Sequence, residues 1–449
     1  MKKMFSNLLA ILLIGTMLFG CAPKVNDVTE TTTSDSKEVT TESTTETAAT
    51  SEQTVIKFVS WMTNGEDIPV VEAFMSENPD IKVEYEAIDG VSYDKLLSVR
   101  LMTDDAPDVY LIQWPQYAKY AQQDYLMDVT DQPSMSLLQT SPGLVNAYTI
   151  DGKQYGFPIN TNGGPLPIYY NKVYFDKLGL TPPTTLEEFY TLCDKIKADG
   201  VDPLVFGAQD KWPLEFFFRF RQYTGTLDVH QQWAKELYEG KMLPSEFFKP
   251  EFEMAENLNS KGYISKASLT LSWPQSVPFF IEGKAAMFPQ GPWVPGMPEF
   301  ADLDPAKFQL ACFTSPVVPA ADGKIYATGD VDRSIVVSAQ TKNKEAALRF
   351  FNWFNDEKNL AKYLGSQSLT TVLDLDYDIN PVLADHIKNL SSDKYQMIMS
   401  QDVQMAGGFI TDAMFNGFQN LLAGSNAADE LKRLDSEFDK TKEAIIVLK

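Results

Sequence analysis

The chain has 449 residues, and 61 acidic side chains against 38 basic ones give it a formal charge of −23 and a pI near 4.5. A balance this acidic excludes nucleic acid as a partner and excludes direct adhesion to anionic lipid. Past its polar opening about 400 residues remain, more than one hydrophobic core usually serves, so two lobes are expected.

Lys2 and Lys3 precede an apolar run, Leu8–Phe19, that is too short to span a hydrocarbon core of about 30 Å. The run stops at Leu18-Phe19-Gly20-Cys21, which resembles the lipobox of bacterial lipoproteins, where the chain is cut before the Cys and its thiol is lipidated. Residues 1–20 are therefore expected to be a signal peptide, and Cys21 the attachment point of a palmitate-type anchor. An ordinary secretory signal with an incidental Cys is the alternative, and both place the mature protein outside the cytoplasm. Val25–Thr54 is almost wholly Thr, Ser, Glu, Asp and Ala; it has too little to bury to recover its ordering entropy. Residues 21–54 thus read as a lipidated N-terminus and a disordered tether with a reach of about 30 Å.

The body opens with a β-rich run, Val55–Trp61, a helical Ile68–Glu77, an alternating strand Ile81–Ala87, a helical Tyr93–Met102 and a strand Pro107–Trp114. Strand, helix, strand, helix, strand predicts right-handed βαβ units on a parallel sheet, with ligands beyond the carboxyl ends of the strands. Trp61 and Trp114 stand at those ends. A second block begins near Gly164. Thr184 with Glu187 predicts a capping box, and Pro203–Phe206 reads as a strand whose loop carries Gln209, Asp210 and Trp212. Leu214–Tyr238 is helical and aromatic, and Ser276–Met287 is a short helix and strand running into Gly291-Pro292-Trp293. Further on, Ser334–Ser338 reads as a strand. Glu345–Phe354 reads as a helix with the apolar face Ala346, Ala347, Phe350, Phe351 and Phe354, and Ala413–Phe438 is helical. Cys193 and Cys312 read as buried free thiols, and His230 and His386 as solvated surface residues.

No constellation for catalysis assembles. There is no nucleophile elbow, phosphate-binding loop, dinucleotide fingerprint, zinc-binding His-Glu-x-x-His or paired Cys ligands, so no catalytic residue, metal or cofactor is assigned. What the chain does carry is tryptophan among amides and carboxylates: Trp61 near Glu66 and Asp67, Trp114 after Gln113, Trp212 after Asp210, Trp273 and Trp293. A sugar presents a C–H face that lies well on an indole, and a fringe of hydroxyls that wants planar polar partners. The pattern points to carbohydrate binding.

The stretches Ile168–Phe189 (IYYNKVYFDKLGLTPPTTLEEF), Phe280–Trp293 (FIEGKAAMFPQGPW), Asp151–Pro158 and Ser338–Phe354 resemble the extracellular solute-binding proteins of family 1, the sugar-type lipoprotein receptors of ABC importers in Gram-positive bacteria. The resemblance implies an α/β, two-lobed periplasmic-binding-protein-like fold of type II, hinged like a flytrap. Lobe 1 would comprise residues 55–160 plus about 325–370, and lobe 2 residues 161–318 plus about 371–449, with hinges near 160–165 and 314–319. It implies a monomer, lipid-anchored at the outer face of the cell membrane, that captures a mono- or oligosaccharide between the lobes and delivers it to the transmembrane permease subunits. By position in the family, Trp114 and Trp293 would stack on the ligand from opposite lobes, and Glu66 and Asp67 would bind hydroxyls. Asn162 stands where maltose-type members carry an acid, Phe409 near their C-terminal Trp, and Trp212-Pro213 resembles a site-adjacent pair. A receptor for another polar solute and a surface glycan-binding adhesin unlinked to transport remain as alternatives.

Overall fold

Strand β1 (Thr54–Ser60) pairs in parallel with β2 (Ile81–Ala87) and β3 (Val109–Ile112), the helices Ile68–Glu77 and Gly90–Leu101 making the crossovers. The expected βαβ opening is therefore present. The computed structural model describes residues 53–449 except 64, 139–144, 146–147, 162–164, 222–226, 318, 320–322, 329–330, 365–368, 371–374, 391, 393–394, 399–402, 405–412, 445 and 448–449. The expected signal peptide, Cys21 and nearly all of the tether lie outside the described residues, as do Asn162 and Phe409.

After a two-stranded hairpin, β4 (Thr149–Ile150) and β5 (Lys153–Gln154), the chain enters β6 (Phe157–Thr161). It then leaves the first sheet for β7 (Pro167–Asn171), β8 (Asp202–Leu204), β9 (Ala285–Pro289) and β10 (Leu310–Thr314), which form a second sheet in the order β10-β7-β9-β8. Strand β11 (Ile325–Thr328) pairs with β14 (Tyr395–Ile398) in a separate two-stranded sheet. The return to the first sheet is β12 (Val331–Val337), antiparallel to both β3 and β6, and β13 (Leu369–Thr370) completes the order β13-β6-β12-β3-β1-β2. The return thus falls at Val331; Ile325, expected to open it, is buried in the core of the second sheet.

Each sheet owns a core. Around the first, the helix Lys344–Phe354 buries Ala346, Ala347, Phe350, Phe351 and Phe354, the face that its spacing predicts. Phe350 meets Phe58 edge-on at 5.2 Å and Phe74 at 4.9 Å. Burying such a ring contributes about 1.5–3 kcal/mol. The second sheet is covered on both faces, so its strands feed two clusters alternately: Ile168 and Tyr170 enter one and Tyr169 the other, while Leu204 and Phe206 part from Val205 in the same way. The first of these clusters takes Phe415, Phe418, Leu431, Leu434 and Phe438 from the C-terminal helices Phe415–Leu422 and Ala427–Thr441.

Local signals need three corrections. The capping box sits one residue later than expected: Thr185 accepts from Glu188 N, and Glu188 Oε2 accepts from Thr185 N, with Thr184 O–H and N–H bonding the same carboxylate. His386 is buried, not solvated; its Nδ1 lies 3.0 Å from Thr314 Oγ1. Trp273 opens a helix, Trp273–Ile281, where a loop or strand end was expected. Cys193 and Cys312 are free thiols as read, the first buried and the second half-buried, with Cys312 Sγ donating to Val382 O.

Candidate functional site

In both sheets the chain crosses over at one edge. In the first, Thr161 ends β6 opposite Val331, and Ser334 pairs with Ile112 at the carboxyl end of β3. In the second, Pro167 opens β7 opposite Thr314, and Ile168 pairs with Pro289 at the carboxyl end of β9. Residues that follow the carboxyl ends of β1, β3, β8 and β9 therefore face the crossing edge, where ligands of such sheets sit.

On the second sheet this edge gathers three tryptophans. After β8 the chain turns through Gly207, whose Cα lies so near the Trp273 backbone that a Cβ there would come within 2.6 Å of Trp273 Cα. The turn ends in Asp210-Lys211-Trp212. Lys211 has φ +65° and ψ −46°, and Trp212 N–H donates to Asp210 O at 2.8 Å, a γ-turn of the rare positive-φ kind. Such strain persists where the surroundings over-determine it, and it collects at ligand clamps. The Asp210 carboxylate accepts from Trp273 N–H at 2.7 Å through Oδ2, locking this turn to the start of the Trp273–Ile281 helix. Trp293 follows β9 through Gln290-Gly291-Pro292. Ring centroids are 5.2 Å apart for Trp212 and Trp273, 6.1 Å for Trp212 and Trp293, and 6.4 Å for Trp273 and Trp293. All three rings are half-buried.

The corresponding edge of the first sheet is polar. Asp67, expected to face a ligand, is wholly buried: Oδ2 accepts from the Ser60 hydroxyl and from Tyr85 O–H at 3.1 Å, and Oδ1 accepts from Tyr363 O–H at 2.9 Å. Burial raises its carboxyl above the usual range, with the Ser60 hydrogen bond opposing. Glu66 Oε1 pairs with Arg333 Nη1 at 2.9 Å, and Arg333 also donates to Tyr363 at 2.9 Å and through Nε to Asn160 Oδ1 at 3.2 Å. Burial opposes the Arg333 charge, but Glu66 beside it holds the guanidinium protonated well beyond its ordinary range. Glu66 thus ties the loop after β1 to the crossing strand β12, while Asp67 ties it to Ser60 on β1, Tyr85 on β2 and Tyr363. Trp61 sits at the exit of β1 with its ring edge-on to Tyr93 at 5.2 Å, and Trp114 opens the helix Trp114–Gln122 just past β3.

Of the residues singled out from sequence, the structure brings Asp210, Trp212, Trp273 and Trp293 together and sets Glu66 and Asp67 into a separate buried network. Sequence reasoning missed Arg333, Asn160 and Tyr363. The available signal was a single cation in Val331–Val337, a strand with four apolar branched residues, where a buried charge demands a partner. Among the described residues no group of three or more His, Cys, Asp or Glu side chains could hold a metal ion.

Two cored sheets joined at a shared crossing edge, with aromatic and polar groups gathered there, define a two-lobed α/β ligand-binding protein of type II. The chain belongs to the bacterial extracellular solute-binding protein family, whose sequence pattern matches residues 60–361. It is 26 % identical over 380 residues to the multiple sugar-binding protein of Streptococcus mutans, covering 83 % of this chain and 86 % of the relative. It is 24 % identical over 265 residues to the melibiose/raffinose/stachyose-binding protein MelE of Bacillus subtilis, covering 58 % and 59 %. In fold it resembles the solute-binding protein RafE in complex with raffinose (TM-score 0.72, 20 % identity, 87 % of this chain and 100 % of that one). It also resembles a sugar transporter from Bacillus licheniformis in complex with stachyose (TM-score 0.66, 22 % identity, 86 % and 100 %). These relatives are binding proteins. Among the described residues no helix is long and apolar enough to cross a membrane.

Proposed function

We propose that this protein is the extracellular carbohydrate receptor of an ABC importer, without enzymatic activity of its own. It takes a saccharide between its lobes and presents it to the permease. The observation that carries this reading is the gathering of Trp212, Trp273 and Trp293 beside Asp210 at the crossing edge of the second sheet. Half-buried indoles offer the apolar surface that a sugar's C–H face needs, and a carboxylate beside them meets its hydroxyls. The sugar-binding relatives support the same assignment. On the first lobe Trp61 and Trp114 are the candidate facing surface, and on the second Asn162 and Phe409 are candidate further contacts. The lobes divide near residues 161, 330 and 371. Cys21 carries the lipid anchor, and the receptor works as a monomer at the outer face of the membrane.

A thermal-shift screen of the mature protein against mono- and oligosaccharides tests the reading. A ligand at a thousandfold its Kd stabilises the folded state by about 4 kcal/mol. A flat response across the whole panel would reject the carbohydrate assignment. The anchor has a separate test: Cys21→Ser should release the protein from the membrane fraction or leave it unprocessed, and a processed variant that stays membrane-bound would remove the claim.

A further inference from the structure

A groove of about 710 Å³ lies on the outer flank of the first sheet, between the end of the helix Ile68–Glu77, the helix Lys344–Phe354 and the start of the helix Glu357–Leu364. The first of these helices returns from the carboxyl end of β1 to the amino end of β2, so Glu77 stands at the end of the sheet away from the crossing edge. One indole, Trp353, forms part of the wall, half-buried and braced on Phe74 with centroids 5.5 Å apart and planes at 71°. Its Nε1–H donates to Glu77 Oε2 at 2.7 Å, which fixes the ring between two helices. Three further polar groups of the wall are anchored in the same way. Asn359 Nδ2 donates to Trp353 O at 2.8 Å, Asp356 Oδ1 accepts from Lys358 N–H at 3.1 Å, and Arg349 Nη2 is paired with Asp80. Each anchored group keeps a second atom. Among the described residues, Glu77 Oε1, Asp356 Oδ2, Asn359 Oδ1 and Arg349 Nη1 make no hydrogen bond to the protein.

The composition of the wall selects the class of ligand. Glu77, Glu345 and Asp356 are mixed with Arg349 and Lys358, so neither an anion nor a cation meets a field of one sign. An apolar segment would find only Leu348 beside the indole, too little for docking. A neutral polyhydroxyl compound suits every part of it. Each hydroxyl both donates and accepts, so it can use spare carboxylate and amide oxygens together with a spare guanidinium N–H, while a C–H face lies on the indole. The volume falls in the range of small-molecule sites, about 300–1,000 Å³. We infer that this groove is a second carbohydrate site, separate from the crossing edge, which holds a short stretch of a neutral glycan, free or within a polysaccharide. It does not depend on which solute the crossing edge takes. An open site with a single aromatic platform binds in the millimolar range.

The test uses the full mature chain, isotope-labelled at tryptophan for nuclear magnetic resonance, with Trp353→Ala assigning the Trp353 indole signal by its loss. Titration with maltotriose, raffinose, stachyose and xylotriose to millimolar concentrations should move that signal saturably for at least one sugar, and should do so in Trp293→Ala as well. A second arm runs the protein through gels containing soluble starch, xylan or galactomannan. There Trp353→Ala should weaken retardation by about tenfold in apparent affinity, the size of a lost stacking contact. Asp356→Asn keeps an oxygen for Lys358 N–H and replaces the spare acceptor, so it should lose retardation at an unchanged melting temperature and separate misfolding from lost recognition. A moving signal without retardation identifies free saccharides as the ligand, and retardation without it identifies the polymer; either supports the site. An indole signal that no sugar moves, with equal mobility of the parent and both variants, would overturn the inference. Glycan binding that Trp293→Ala abolishes and that Trp353→Ala and Asp356→Asn leave untouched would overturn it too, with the receptor reading intact.

Discussion

Arg333 Nη1 lies 2.9 Å from Glu66 Oε1 with side-chain exposures of 3 % and 11 %, so the two crossing strands and the loop after β1 are joined by an ion pair almost wholly out of water. Arg333 stands on β12 and bonds Asn160 on β6, while Asn160 Nδ2 donates to Asp332 at 3.2 Å. The roots of two connections between the lobes are therefore pinned to each other and to the candidate ligand loop by one guanidinium.

Removing that guanidinium leaves Glu66 and Asp332 as half-buried carboxylates without that cation. Arg333→Met is expected to destabilise the protein by about 3–5 kcal/mol. Replacing both partners, Arg333→Met with Glu66→Gln, should cost less than the sum of the single changes, because of the two carboxylates only Asp332 then lacks its cation. Urea midpoints at constant m-value measure both, and additive losses would show that the two side chains act independently.

Gly291 and Gly207 should respond differently to the same methyl group. At Gly291 the obstacle is the ring of Trp293, which can swing away, so Gly291→Ala is expected to cost about 1 kcal/mol of stability. The displaced ring should nonetheless weaken saccharide binding by about tenfold, the size of a lost stacking contact. At Gly207 the obstacles are Trp273 backbone atoms at 2.6 and 2.7 Å, which cannot move without shifting a helix. Gly207→Ala should therefore lower the melting temperature of the empty protein more than Gly291→Ala does. Parallel melting and titration of the two variants decide the matter.

Much of this architecture is legible in the sequence, because strands and helices announce themselves through local period. The helix Lys344–Phe354 buries the five residues its spacing selects, and the βαβ opening follows from alternating runs. What escapes is whatever depends on tertiary placement. Thr184-Thr185 and Glu187-Glu188 offer two capping boxes of identical spacing, and only the backbone chooses Thr185. His386 has the polar neighbours Asp385 and Lys388, yet its helix, Ala384–Leu390, lies against β10 and turns the imidazole inward. Trp212, Trp273 and Trp293 were each visible as candidates. Their mutual inclination was not, since it is set by a strained turn, a helix start and a glycine far apart in the chain. Asp67 shows the converse error: its acidic pair in a loop looks solvent-facing until Ser60, Tyr85 and Tyr363 close over it.

His386 gives the protein an acid-sensitive clasp. Its Nδ1 shares Thr314 Oγ1, at the exit of β10, with Asn389 Nδ2 at 3.2 Å. Burial disfavours the imidazolium and pushes the pKa down to about 4 from 6.5. In the window between those values the unfolded chain binds a proton that the folded chain refuses. Stability conferred by the neutral ring is therefore complete above pH 6.5 and is lost as pH falls toward 4, by about 3 kcal/mol over the whole interval. His386→Gln should flatten the difference in stability between pH 7 and pH 5 relative to the parent. Identical pH slopes for the two proteins would mean that this histidine does not carry the linkage.

Hinge closure is the last expectation, and it rests on the topology. The chain passes between the sheets after Thr161, between Thr314 and Val331, and again between Thr370 and the turn Pro381–Leu383, which packs on the second sheet. Each passage joins elements at the same edge, so the lobes can rotate about that edge without breaking either core. A saccharide that touches both faces stabilises the closed arrangement by its differential contacts, and a shift from mostly open to mostly closed requires about 5.5 kcal/mol of preference. Small-angle scattering should therefore show a smaller radius of gyration on saturation with a saccharide ligand, and tryptophan fluorescence should change as Trp212 and Trp293 leave water. Arg333→Met, tested without denaturant at a temperature where it remains folded, should close less completely at equal saturation, because the guanidinium no longer ties the loop after β1 to the crossing strands. A saturating ligand that leaves scattering and fluorescence unchanged would place the whole site on one lobe and remove the trap mechanism.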